Sequence, residues 1–185
     1  ADDAKALLPQ CKEAIASGKP VLVKYDLNDD FVEESGLICG GQMEVYIDPI
    51  APAPPLYIIG AGHVGWHLAR FAADAGFRIH VIDDREKFAN RERFPLAREV
   101  IAEDFDQATE RLTPSEDAYI VIVTRGHQED ENVLRWAAKT PARYIGMIGS
   151  KRKIRTIAEN LIREGISRER IERVHMPIGL DIGAV

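Results

Sequence analysis

The sequence predicts an α/β fold, a parallel sheet with helices on both faces, preceded by a small α+β segment. Three observations predict it. Apolar runs alternate with helix-period stretches from residue 56 onward, which is the pattern of successive βαβ units. A glycine-rich turn follows the first of those runs. A proline-rich stretch, PIAPAPP at 49 to 55, separates this part from a shorter patterned region before it. The expected division is residues 1–53 and 54–185.

In the first part, Leu7, Leu8, Cys11 and Ile15 recur at helical spacing, and Gly18 and Pro20 then stop the helix. PVLVKYD and QMEVYID read as strands with one wet face. In the second part the order is LYII, the helix HVGWHLARFAADAG, FRIHVI, EVIA, a short polar helix near 106 to 112, AYIVIVT, the helix EDENVLRWAAK, RYIGMI and the helix KRKIRTIAENLIREG. Right-handed crossovers then place the helices on both faces of the sheet. After PIGLDIGAV a further helix is expected to close the fold.

Composition bounds the function. The 185 residues are 45% hydrophobic and 29% charged, with a net charge of −6. That balance suits a globular chain and argues against a nucleic-acid surface, because KRK at 151 to 153 is too short a basic cluster to engage a phosphate backbone. No apolar stretch approaches the roughly 20 residues a membrane-spanning helix needs, and the N-terminus has no signal-peptide layout. A cytoplasmic location is expected, and two cysteines, Cys11 and Cys39, fit a reducing compartment.

LYIIGAGHVG places Gly60, Gly62 and Gly65 at the spacing G-x-G-x-x-G between a strand and a helix. In such a turn the first glycine permits the tight bend, the second lets backbone approach a pyrophosphate, and the third lets helix pack on sheet. The amides and dipole at the helix start, around His63 and Val64, favour an anion. IHVIDD ends the second strand on an acid at the distance a Rossmann-like nucleotide fold requires. Asp83 is thereby expected to accept from a ribose diol, with Asp84 as the alternative.

Ligands of an open parallel sheet bind beyond the carboxyl ends of its strands. Thr124, Arg125, Gly126 and His127 follow one strand there, and Gly149, Ser150, Lys151 and Arg152 follow another. They are expected to surround an anionic ligand, although Ser150 also reads as a plain N-cap and Lys151 as a solvated lysine. His63 and His67 share a helix face. Packing for His67 and a phosphate contact for His63 are expected ahead of a metal. His127, flanked by Arg125 and Asp130, is the candidate for acid–base work. Cys11 reads as a core residue. Cys39, beside Gly40 and Gly41, reads either as a small residue in a turn or as a ligand contact.

Together GLICGGQMEVYIDPI, the stretch from LYIIGAGHVG to ANRERFP, VTRGHQED, RYIGMIGSKRK and PIGLDIGA resemble the XdhC/CoxI family, accessory proteins of molybdenum hydroxylases. The resemblance implies a protein that binds the molybdenum cofactor, as molybdopterin or its cytosine dinucleotide, and aids its sulfuration and insertion into an apo-hydroxylase. A sulfur donor such as a cysteine desulfurase is an implied partner, and Cys39 falls in the family's C-G-G element. Members usually begin with a longer N-terminal domain bearing a second cysteine and glycine element, which this sequence lacks. No catalytic residue and no metal ligand is assigned. The alternatives are an NAD-dependent oxidoreductase using His127 or Lys151 as proton donor, and a nucleotide-sensing module. A homodimer is the base-rate expectation.

Overall fold

A computed structural model of the chain describes residues 3–26, 42–50 and 52–183. The chain divides into two compact units, Ala1–Pro52 and Ala53–Val185. In the first, helix α1 (Asp3–Ser17) is followed by strands β1 (Val21–Asp26) and β2 (Gln42–Ile47). The strands pair antiparallel, with Val23 opposite Val45. Gly18, at φ 63°, ends α1 in the left-handed conformation that glycine adopts without strain. The helix buries Ala14 and leaves Leu8 and Ile15 exposed. The expected face through Leu7, Leu8, Cys11 and Ile15 is therefore rotated, and Cys11 is only half-buried rather than a core residue.

The second unit holds a five-stranded parallel sheet in the order β5-β4-β3-β6-β7. Its elements are β3 (Pro55–Ile59), α2 (His63–Asp74), β4 (Arg78–Asp83), β5 (Glu99–Ala102), α3 (Phe105–Arg111), β6 (Tyr119–Ile122), α4 (His127–Ala137), β7 (Tyr144–Met147), α5 (Lys151–Arg163) and α6 (Arg168–Glu172). Period-two alternation along β3 sends Leu56 and Ile58 to one face, and Tyr57 and Ile59 to the other. The first face packs against Ala69 and Ala72 of α2 and against Phe94. The second packs against Phe105 of α3, Leu134 of α4 and Ile154 of α5. Ile58, Ile59, Ile82, Ile120 and Ile122 are fully buried, each worth about 1.5–3 kcal/mol relative to an exposed side chain. Burial on both faces explains why these strands read as continuous apolar runs.

Two features beyond β7 escaped the sequence reading. Ser167 caps the short helix α6, its hydroxyl accepting from the Arg170 amide. The chain then lies beside β7, where His175 donates its amide to Ile145 at 2.8 Å and Met147 donates to His175 at 3.0 Å. No helix among the described residues is long and apolar enough to cross a membrane.

Candidate functional site

Strand order reverses between β3 and β6, and the loops leaving those two strands form the crevice of the sheet. Gly60 takes φ 116°, and its amide donates 2.8 Å to Ile82, so the chain turns sharply while still bonded to β4. A Cβ at Gly60 would lie 2.4 Å from the Val123 carbonyl oxygen, and one at Gly65 would lie 2.0 Å from that of Gly60. These two glycines are demanded by close backbone approach. Gly62 is different: a Cβ there would meet nothing within 4 Å. Its open side is the one available to a ligand.

α2 starts on Gly62 with no side-chain cap. The helix's own bonding begins at Trp66, whose amide donates 2.9 Å to the Gly62 carbonyl. The amides of His63, Val64 and Gly65 are thus the orphan donors of the first turn. The side chains of His63 and Val64 are exposed, while Gly65 is buried. His67 is exposed too, edge-on to Trp66 at 4.7 Å, so the expected packing role for it is corrected. Among the described residues, no group of three or more His, Cys, Asp or Glu side chains is arranged to hold a metal ion.

The loop is pinned from both sides. The Ala61 amide donates 2.8 Å to Asp83 Oδ2, and Arg93 Nη1 donates 3.1 Å to the Ala61 carbonyl. Asp83 is 1% exposed. It accepts further bonds from Arg85: the amide at 3.1 Å and Nε at 2.7 Å on Oδ1, and Nη2 at 2.9 Å on Oδ2. Burial alone would raise the carboxyl pKa. The hydrogen bonds from the Arg85 side chain and from the Ala61 and Arg85 amides outweigh it and hold the group below its ordinary value. Both Asp83 oxygens are therefore engaged within the protein, and a ribose contact requires Arg85 to turn away. Asp84, the alternative acid, is exposed and accepts 2.6 Å from Arg125 Nη2. That pair joins the loops leaving β4 and β6 across the end of β3 between them.

Below Arg125, Thr124 donates its hydroxyl to Asp130, and Lys153 donates its ammonium to the other oxygen of the same carboxylate. Asp130 is fully buried, and the Lys153 side chain is 14% exposed. The contact ties the start of α4 to the start of α5. α4 begins on Gly126 without a side-chain cap, as α2 does on Gly62. α5 is capped, because Ser150 Oγ accepts 3.3 Å from the Lys153 amide, in keeping with the plain reading of that serine.

His127, Ser150, Arg152 and Lys153 line an open pocket of about 440 Å³ between α4 and α5. The two loops singled out in the sequence thus share one pocket. The buried cation in its wall is Lys153, while Lys151 is exposed and lies outside the wall. Lysines two positions apart on a helix point about 200° apart, a distinction that KRK as a string does not make. Gly149 is half-buried beside Ile154 and Lys153. Arg85, Arg93 and Lys153 were not among the expected site residues. Only Asp130 had been noticed, as a neighbour of His127. Cys39 lies outside the described residues.

Comparison with known proteins places this geometry. The model of the XdhC Rossmann domain family matches residues 56–185. The uncharacterised protein YqeB of Escherichia coli is 32% identical over 181 residues, covering 97% of this chain and 33% of its own length. A probable xanthine dehydrogenase component of Bacillus subtilis is 27% identical over 140 residues, covering 76% of this chain and 40% of its own. The chain therefore spans between a third and two fifths of these relatives. A crystal structure of a xanthine dehydrogenase from Bacillus halodurans superposes with a TM-score of 0.64 at 23% identity, covering 98% of this chain and 61% of that one, a likeness of fold. With its glycine turn, its buried acid and a match over most of its length, the chain belongs to the XdhC family, residues 56–185 being that family's Rossmann domain.

Proposed function

We propose that this protein is an accessory factor that holds the molybdenum cofactor for a molybdenum hydroxylase of the xanthine dehydrogenase type and assists its sulfuration and insertion. Membership of the XdhC family supports the association, as does the Bacillus subtilis relative known as a probable xanthine dehydrogenase component. The observation that carries the reading is the start of α2. Three amides there lack a side-chain cap beside a glycine with open space above it, while Asp83 and Arg93 fix the turn from below. Fixed, uncapped amides at a helix start suit a phosphate or pyrophosphate.

In this reading the Gly62 to Gly65 amides bind the phosphate of molybdopterin or the pyrophosphate of its cytosine dinucleotide. The second uncapped start, at Gly126, together with the pocket bearing His127 and Lys153, receives another part of the same ligand. The molybdenum end supplies the chemistry of the hydroxylase once delivered. Cys39 is the residue proposed to contact it or to receive sulfur from a donor such as a cysteine desulfurase. Assembly as a homodimer belongs to the same proposal.

The test is to purify the protein, oxidise any released pterin to its fluorescent form, and compare Cys39→Ser with the unsubstituted chain. A pterin present at near one equivalent and lost in Cys39→Ser is the expected result. Full retention in the variant removes Cys39 from the proposal, and absence of pterin from both removes the cofactor. A second reading, an NAD-binding module, is favoured by the exposed Asp84 at the end of β4. Calorimetric titration with NAD separates the two, and turnover of NAD with any substrate supports an oxidoreductase.

A further inference from the structure

A second open pocket, of about 520 Å³, lies along one flank of α2, away from the crevice between β3 and β6. α2 contributes Trp66, Ala69 and Arg70 to it, β4 contributes Ile79, and the segment before β5 contributes Arg93 and Leu96. Ile79 stands near the end of β4 opposite Asp83, so this is not the nucleotide crevice. Pockets of this size with largely apolar walls and a few fixed polar groups are the usual form of a small-molecule site.

Its walls are held in place. Trp66 Nε1 donates 3.1 Å to the Arg93 carbonyl, which fixes the indole. The Arg93 guanidinium donates 3.1 Å to Phe88 O and lies 5.0 Å from the Phe88 ring centroid. Arg70 stands at the rim with its guanidinium 4.8 Å from the centre of the Trp66 ring. Leu96, 66% exposed, forms an apolar lip. Glu92 is the one carboxylate in the wall, set against two guanidinium groups, so the pocket carries a positive balance.

We propose that this pocket binds a compact aromatic acid. The ring fills the apolar space between Ala69, Ile79 and Leu96. The carboxylate pairs with the planar fork of Arg70, which is matched to such a group. A ring without the acid gains only the apolar part, and a ring bearing an amine is repelled at the rim. The inference is independent of the cofactor reading. The two sites are joined through Arg93, which lines this pocket and holds the Ala61 carbonyl of the glycine turn.

The test uses the full chain carrying Trp136→Phe, which leaves Trp66 as the sole tryptophan. It is titrated with 1-naphthoate and, in parallel, with 1-naphthylmethylamine, following indole emission. The Nε1 proton resonance of Trp66 in the unsubstituted chain provides a second readout. Naphthoate should change both signals saturably, and the amine and Arg70→Gln should each weaken binding about tenfold or more. Failure of naphthoate to saturate, or equal affinity for Arg70→Gln or for the amine, overturns the proposal. So does a titration abolished by Gly62→Ala but untouched by Arg70→Gln, which would place the probe at the glycine turn.

Discussion

The amide of Ala61, in the glycine turn, donates 2.8 Å to Oδ2 of Asp83, at the end of the neighbouring strand. The acid that the sequence offers to a ligand is thus also the residue that sets the turn. Arg85 occupies both carboxylate oxygens, and Arg93 holds the other side of Ala61. A turn fixed in this way presents its outer amides without rearrangement, which is the condition for tight anion binding.

Replacing Asp83 tests that arrangement. Asp83→Ala strands the Ala61 amide and removes the partner of Arg85, and should cost about 3 kcal/mol of stability in urea unfolding. Asp83→Asn retains an acceptor and should cost less. The folded carboxyl is held below its ordinary value of about 3.9. Its contribution is therefore complete above the unfolded value and is lost as pH falls through the lower folded one. The gap in stability between the natural chain and Asp83→Asn should be wide at neutral pH and should narrow in strong acid. A gap independent of pH contradicts this.

The three loop glycines should separate into two kinds. Gly60→Ala and Gly65→Ala drive a methyl into backbone oxygen, at 2.4 and 2.0 Å, and should yield unstable or insoluble protein. Gly62→Ala meets open space at φ −67°, which alanine adopts freely, and should melt at nearly the same temperature. It should still weaken a pyrophosphate ligand about tenfold, by covering the approach. Equal stability for all three, seen by calorimetric melting, would mean that the close contacts do not exist.

The Lys153 and Asp130 pair should behave as a buried pair does. Lys153→Met leaves an uncompensated carboxylate with only Thr124 as its described side-chain partner, and should cost about 3–5 kcal/mol. The double variant Lys153→Met with Asp130→Leu should recover much of that loss. A double variant no more stable than the single one shows that the pair does not hold α4 to α5.

How much of this was legible depended on the scale of the signal. The sheet was readable because Ile58, Ile59, Ile120 and Ile122 are buried on both faces and leave continuous apolar runs. Gly60, Gly62 and Gly65 were readable because the turn has a backbone requirement with fixed spacing. The partners of the turn were not. Arg93 acts over 32 positions and Lys153 over 23, distances at which sequence carries no periodicity. Asp83 was legible as an acid at the right place, but its occupation by Arg85 depends on a rotamer. Helix α1 went astray in its facing, with Ala14 inside and Ile15 outside, because residues 3–17 hold enough apolar positions to satisfy two registers.

The most direct measurement is titration of isotopically labelled protein with inorganic pyrophosphate, then with NAD and with cytidine diphosphate, following the amides of His63, Val64 and Gly65. The expected result is saturable movement of those three resonances with at least one ligand, weakened about tenfold or more in Gly62→Ala. Movement confined to other amides, or unchanged affinity in that variant, would contradict a phosphate held at the start of α2.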